Sequence, residues 1–379
     1  MTIMHSPQTI LYLVPSLIPC GPINVVYNIL RHLDRKRFSP VVVALSDAGE
    51  RCNQADFEAL GVEVHNLHLT KWYLQWHVGE VARRMEALFP DKRVVLHAHG
   101  YYPTLILAAM KGRKTMTTVH NICDEDFVMQ KGWALGSYMA TMYKRCLPKL
   151  ACCVVISNSM RQYYMSKVAG CKRMEVVYNG VEQMAKNYDA VVLRKELNIP
   201  DGYKVLLYPA ILKKRKNHIY LEKELLNATN GKWVLLIAGD GPLRKDCIKV
   251  AGGDGRIRLL GYRSDIDRLL SVTDFFVSPS VSEGLPMAVL EALMAGVPCL
   301  LSAIPPHREI MQQVFGNETL IFDETQRGAL AELFDRVGEQ NFSHSLISER
   351  AKAAYSAEVM ARGYERVYSQ MGDDGTNVM

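Results

Sequence analysis

The sequence predicts an α/β protein of two Rossmann-like, doubly wound parallel-sheet domains in tandem, and three observations lead there. The chain has 379 residues, and at about 150 residues per domain that length suits two domains. Short, continuously apolar runs alternate with longer stretches of helical periodicity, the pattern of strands buried on both faces of a parallel sheet. The alternation then starts afresh at Val205.

In the first half, 9–14 reads as a strand, followed by a helix over 23–33 with Val26, Ile29, Leu30 and Leu33 at helical spacing. Strands are predicted at 40–45 and 62–67, a helix at 78–88, and further strands at 94–97, 115–119, 153–156 and 174–178. The second half offers strands at 205–208, 234–238, 257–260, 275–277 and 299–302. The polar stretch 182–200, closed by Pro200-Asp201-Gly202, is expected to be a linker. A last helix at 357–371 carries a stripe of Val359, Met360, Tyr364, Val367 and Tyr368, and periodicity leaves open which domain it covers. The expected division is 1–182, 183–355 and a C-terminal segment 356–379, with a frayed tail from 372.

Composition narrows the class. Apolar residues make up 49% and charged residues 22%, which excludes disordered and fibrous proteins. No repeat of solenoid or propeller period occurs. Residues 1–190 carry 22 Lys and Arg against 15 Asp and Glu, whereas the remainder carries 23 against 24. One half is therefore basic, as suits a phosphate-bearing ligand or an anionic membrane surface. The cysteine count is odd, at nine, with no C-x-x-C spacing, which reads as reduced thiols in the cytoplasm. Residues 1–30 lack charge, but Pro15, Pro19, Gly21 and Pro22 interrupt them and no Lys or Arg precedes them, so no signal peptide or membrane span is expected.

The chemistry concentrates in 275–300, where a strand leads through Ser282-Glu283-Gly284-Leu285-Pro286 into a helix carrying Glu291. Gly284 permits a close backbone approach, Pro286 suits a helix start, and the amides of that helix start attract phosphate. Upstream, Lys213-Lys214-Arg215-Lys216 places four cations just after a strand, the charge that a diphosphate leaving group needs.

The pattern S-x-x-x-E-G-L-P-x-x-x-L-E-A-x-x-x-G-x-P resembles glycosyltransferase family 4, retaining sugar-nucleotide transferases of GT-B fold with a Glu-x7-Glu motif. Val177-Tyr178-Asn179-Gly180-Val181-Glu182, Leu236-Ile237-Ala238-Gly239-Asp240-Gly241-Pro242 and Leu260-Gly261-Tyr262-Arg263-Ser264-Asp265-Ile266 follow in the family's order. The resemblance implies an active site in the cleft between the two domains. It implies donor contacts from Gly21, Lys214, Arg215, Lys216, Gly261, Tyr262, Arg263, Glu283, Gly284, Leu285 and Glu291, with Glu291 on the ribose hydroxyls. Glu283, Lys216 and His120 take the catalytic places, and His97 and His99, in an H-x-H segment, the acceptor side. Ile211 stands where the family has an Arg, leaving Arg215 or Lys214 to replace it, and Gly21 stands alone where the family has a glycine pair.

The expected reaction moves a sugar, with retention and without a metal or other cofactor, from a nucleoside-diphosphate sugar to a glycan or lipid-linked hydroxyl. UDP or GDP is the expected carrier, in bacterial polysaccharide or glycolipid synthesis. No nucleic-acid partner is expected. The alternative is a protein of the same fold that binds a sugar nucleotide without turnover, motivated by Ile211 and Gly21. Asp124-Glu125-Asp126 offers a rival D-x-D metal site. The segments 110–114 and 131–149 mix Lys and Arg with Trp133, Tyr138, Met139, Met142 and Tyr143, which predicts peripheral contact with the inner face of the membrane.

Overall fold

The computed structural model describes residues 6–49, 52–183, 188–229, 232–338 and 340–373. Residues 184–187 of the expected linker and 374–379 of the expected frayed tail lie outside them. The chain divides into two compact units, one of Met1–Gly180 with Ala357–Met379 and one of Val181–Ser356.

The first unit contains seven parallel strands, β1 (Gln8–Val14), β2 (Phe38–Ala44), β3 (Glu63–Asn66), β4 (Val95–His99), β5 (Lys114–Val119), β6 (Cys152–Val155) and β7 (Met174–Val176). Their order is β3-β2-β1-β4-β5-β6-β7. The second unit contains β8 (Lys204–Pro209), β9 (Trp233–Ala238), β10 (Ile257–Gly261), β11 (Phe275–Ser278), β12 (Cys299–Ser302) and β13 (Ile321–Phe322), ordered β10-β9-β8-β11-β12-β13 and again parallel. Ile10–Val14 and Val205–Leu207 are fully buried, so both faces of each central strand are covered, as their unbroken apolar runs require. In each sheet the winding reverses between two central strands, β1/β4 and β8/β11. Loops leaving the carboxyl ends there diverge and open a crevice, the usual ligand position in such sheets.

The structure corrects one expectation, adds a strand and assigns a helix that the sequence left open. The stretch 182–200 is not all linker: Ala190–Glu196 is a helix, capped by Asp189, whose side chain accepts from the amides of Val191 and Val192. Its Leu193 is buried, and that single apolar anchor in a polar segment gave little periodicity to read. The two-residue β13 was too short to announce itself. The last helix, Ala357–Asp373, belongs to the first unit. Its buried stripe runs through Met360, Ala361, Tyr364, Val367, Tyr368 and Met371, whereas Val359 is exposed.

That helix is tied to the sheet by a buried chain of polar groups. Tyr368 donates to the Tyr12 hydroxyl at 2.9 Å, so the Nδ1–H of His97 must donate to Tyr368, also at 2.9 Å. The Nε2 of His97 then accepts from the Thr118 hydroxyl at 2.8 Å, and the Tyr364 hydroxyl donates to Thr118 Oγ1 at 3.0 Å. Burial holds His97 neutral by driving its pKa well below the ordinary value. Tyr368→Phe removes the hydroxyl shared by Tyr12 and His97, and urea unfolding should register a loss of about 1–3 kcal/mol. An unchanged midpoint would mean that the chain of hydrogen bonds does not fasten the helix.

Candidate functional site

In the second unit, β8 and β11 are neighbours on either side of the reversal, so the segments after them meet although 67 residues separate them. After β8 the backbone forms a single turn of 3-10 helix, Lys214–Lys216. After β11 it runs through Glu283 into the helix Met287–Met294. Val281 donates its amide to the Arg215 carbonyl at 3.0 Å, locking the two segments together. Arg215 Nη1 reaches Glu283 Oε2 at 2.6 Å and the Ser282 carbonyl at 2.7 Å. Lys216 Nζ reaches the other carboxylate oxygen, Oε1, at 2.5 Å. Both oxygens of a carboxylate only 5% exposed are thus held by two cations.

Burial alone would raise the Glu283 pKa, but Lys216 and Arg215 outweigh it and hold the carboxyl down at about 2. Of the two candidates, Arg215 and not Lys214 stands beside Glu283; Lys213, Lys214 and Ile211 are exposed. Eight residues on, Glu291 is half-buried, its pKa is raised by burial, and its carboxylate has no hydrogen-bond partner among the described residues. The Met287 and Ala288 amides open the helix beside it, because backbone pairing to the Pro286 carbonyl begins only at Val289.

Beneath this cluster lies a layer that the sequence did not single out. The Tyr208 hydroxyl donates to the Lys216 carbonyl at 2.9 Å and lies 3.0 Å from Ser280 Oγ. Ser302 donates to the Ser280 carbonyl at 2.5 Å, and His307 Nδ1 donates to the Ser302 carbonyl at 3.1 Å. These residues come from two strands, the loop after a third and a helix, so no local spacing could announce them. The loop carrying Lys214–Lys216 is braced from the other side by the turn after β9. Leu212 donates to the Asp240 carbonyl at 3.0 Å, and a Cβ at Gly239 would fall 2.1 Å from the Ala210 carbonyl oxygen, an approach only glycine allows. Gly261 ends β10 on the same edge; Tyr262 is largely exposed, and Arg263 is held in a two-point pair with Asp265 at 2.6 and 2.7 Å.

In the first unit, Gly21 opens the helix Gly21–His32 after β1, His99 ends β4, and His120 follows β5. His99 Nδ1 lies 2.9 Å from His120 Nε2, and His99 Nε2 is buried without a partner among the described residues. If His120 donated, His99 would carry its proton on that buried nitrogen, and orphaned buried N–H groups are costlier and rarer than under-used acceptors. His99 Nδ1–H therefore donates, and half-buried His120 carries its proton on Nδ1. Burial lowers the His120 pKa to about 3, keeping the ring neutral. His97 does not join this pair: it is fully buried with both nitrogens used by Tyr368 and Thr118, so the acceptor contact expected of it has no atom to make it. Asp124, the first residue of the D-x-D run, is held by Lys144 at 2.7 and 2.8 Å and by the Tyr163 hydroxyl.

Residues 191–357 match the family described as Glycosyl transferases group 1, and residues 21–183 match Glycosyltransferase Family 4. The chain belongs to glycosyltransferase family 4. It is 25% identical over 384 residues to an O-antigen biosynthesis glycosyltransferase, WclY, of Escherichia coli, covering 96% of this chain and 98% of the relative. It is 27% identical over 262 residues to the UDP-Gal:alpha-D-GlcNAc-diphosphoundecaprenol alpha-1,3-galactosyltransferase of Escherichia coli, over 65% and 64% of the two chains. The crystal structure of Anabaena Alr3699/HepE in complex with UDP and glucose aligns with a TM-score of 0.76 at 16% identity, over 95% of this chain and 99% of that one. The sucrose-phosphate synthase of Thermosynechococcus elongatus aligns at 0.79 and 17% identity, over 96% and 99%. The fold of this family 4 glycosyltransferase is therefore GT-B.

The Glu283 pairing carries a measurable stability. A carboxyl held at about 2 against an ordinary 4.5 contributes about 3 kcal/mol, present above pH 4.5 and lost as the pH falls toward 2. Glu283→Gln should lower the unfolding free energy at pH 7 by about that amount, read from urea denaturation. An undiminished stability would contradict the ion pairing.

Proposed function

We propose that this glycosyltransferase moves a sugar, with retention of anomeric configuration, from a nucleoside-diphosphate sugar to a hydroxyl of a lipid-diphosphate-linked glycan. The observation that carries the reading is the Glu283–Arg215–Lys216 cluster at the reversal of the second sheet, beside an unpartnered Glu291 and the open amides of a helix start. Two cations against one carboxylate leave a net positive charge, which suits a diphosphate. The Met287 and Ala288 amides add fixed donors at the positive end of a helix. Glu291, with both oxygens available, suits the paired hydroxyls of a ribose. UDP is the favoured carrier, because a galactosyl relative uses UDP-Gal and a structural neighbour holds UDP. The diphosphoundecaprenol acceptor of that relative and the O-antigen role of another favour a lipid-linked glycan in polysaccharide synthesis.

The cluster also bears on how retention would arise. A covalent route needs a carboxylate free to attack the sugar, and here both Glu283 oxygens are committed to cations in a buried setting. The preferred route is front-face transfer. The bond from the anomeric carbon to the phosphate oxygen breaks as the acceptor oxygen bonds to the same face. The acceptor proton passes to the departing phosphate, and the nucleoside diphosphate leaves. Arg215, Lys216 and the helix amides would stabilise the growing charge without need of a metal. His120 would supply its Nδ1–H to an oxygen of the transferred sugar, with His99 fixing its tautomer.

The nucleotide test is thermal unfolding with UDP, GDP, ADP and CMP, with and without EDTA. A ligand at 100 times its dissociation constant adds about 2.7 kcal/mol. UDP should stabilise the protein and should fail to stabilise Glu291→Ala. Absence of a shift from every nucleotide would contradict the reading, as would a shift that vanishes with EDTA for its metal-free part.

A further inference from the structure

We propose that Cys153 and Cys171, at the edge of the first unit's sheet, are an oxidisable thiol pair that hydrogen peroxide converts to a disulfide, stapling β7 to β6. Cys153 lies on β6 and is fully buried; Cys171 is half-buried in the loop between the helix Asn158–Lys167 and β7. Backbone and side-chain contacts bring the two together. The Cys153 amide donates to the Arg173 carbonyl at 2.9 Å, and Cys153 stands opposite Met174 in the pairing of the strands. The Cys153 thiol donates to the Leu147 carbonyl at 3.5 Å. A Cβ at Gly170 would rest 3.8 Å from Pro148 Cβ. The residue before Cys171 thus crosses the same single turn, Leu147–Lys149, that the Cys153 sulfur touches. There the two thiols are hydrogen-bonded to each other. Cysteines can be joined without backbone movement only where their side chains converge in this way.

The two sulfurs are not equivalent. The hydrogen bond from Cys153 holds the Cys171 thiol below its ordinary pKa, whereas that bond and then burial drive Cys153 well above its own. A partly exposed thiol that ionises readily, beside a buried one that does not, is the arrangement of an attacking cysteine and its resolving partner. The adjacent Cys152 is no rival for that second place. Successive side chains of a strand point to opposite faces of the sheet, and Cys152 is buried on the other face, toward Tyr364 of the last helix.

The Cys171 thiolate attacks one oxygen of the peroxide. The O–O bond breaks, hydroxide leaves and takes up the proton that Cys171 had lost, and Cys171 becomes a sulfenic acid. The Cys153 sulfur then attacks the Cys171 sulfur; the S–S bond forms, the S–O bond breaks, and the Cys153 proton leaves with that oxygen as water. Two thiols are oxidised, one peroxide is reduced, and two waters form. The consequence is local. β7 is an edge strand of three half-buried residues, and the chain runs from it through 177–180 into the second unit. Arg173, in the loop that enters β7, donates to Gln370 of the last helix. A disulfide adds a covalent tie at that loop. It closes 18 positions of chain and so removes freedom from the unfolded state.

The test treats the full chain with hydrogen peroxide, alkylates the remaining thiols and maps the unreduced digest by mass spectrometry. A peptide linking Cys171 to the Cys152-Cys153 segment should appear in the wild type and in Cys152→Ala. It should be missing from Cys153→Ala and from Cys171→Ser, the second of which changes only a half-buried loop position and so keeps the test open if the first fails to fold. Oxidation should also raise the thermal midpoint of the wild type by about 3 °C or more, reversed by dithiothreitol, and leave that of Cys171→Ser without the rise. A linked peptide that survives Cys153→Ala would overturn the proposal. So would Cys171 driven to sulfinic acid with Cys153 still alkylatable, or a wild-type midpoint that oxidation leaves in place. None of these readouts depends on nucleotide binding or transfer activity.

Discussion

A buried carboxylate shared by two cations is the constraint around which the second unit is arranged. An ionised glutamate at 5% exposure is costly unless its charge is answered. Arg215 and Lys216 answer it from a single turn of 3-10 helix, and that turn must therefore be held in place. It is held by the Val281–Arg215 backbone bond, by Tyr208 on the Lys216 carbonyl and by the turn around Gly239. The motif glycines and the buried hydroxyls serve the same end, which is to keep two positive side chains at one point of the sheet edge.

That point is set by topology before any side chain is considered. Because the winding reverses between β8 and β11, the loops after them are the pair that diverge, and the charged cluster stands there. The first unit repeats the logic between β1 and β4, with Gly21, His99 and His120 at the carboxyl ends of β1, β4 and β5. The His99–His120 pair is the neutral counterpart of the ion cluster: burial excludes charge, and the lack of a partner for His99 Nε2 fixes which ring donates.

Much of this was legible in the sequence because it was written in local runs. All strands but β13 were read from the sequence, most of them from apolar continuity though not the mixed β3 and β7. Glu283 and Glu291 stood out in a strand-to-helix segment and 213–216 as a run of cations after a strand, with the family resemblance picking out Lys216. What escaped notice depends on contacts distant in the chain. Tyr208, Ser280, Ser302 and His307 meet from two strands, the loop after a third and a helix, so none is special in its own segment. His97 and His99 are two residues apart and look alike in sequence. Only the returning helix Ala357–Asp373, which brings Tyr368 onto His97, separates a packing histidine from one at the sheet's edge. The choice between Lys214 and Arg215 likewise needed the 3-10 turn, which points one inward and leaves the other in solvent.

The central claim is that Arg215 and Lys216 are placed to receive a diphosphate. Calorimetric titration of Arg215→Ala and Lys216→Ala with UDP and with uridine tests it most directly, since the two ligands differ only in the phosphates. The account predicts that each variant loses about tenfold or more in affinity for UDP while whatever affinity uridine has stays unchanged. Wild-type affinity for UDP in both variants would contradict it.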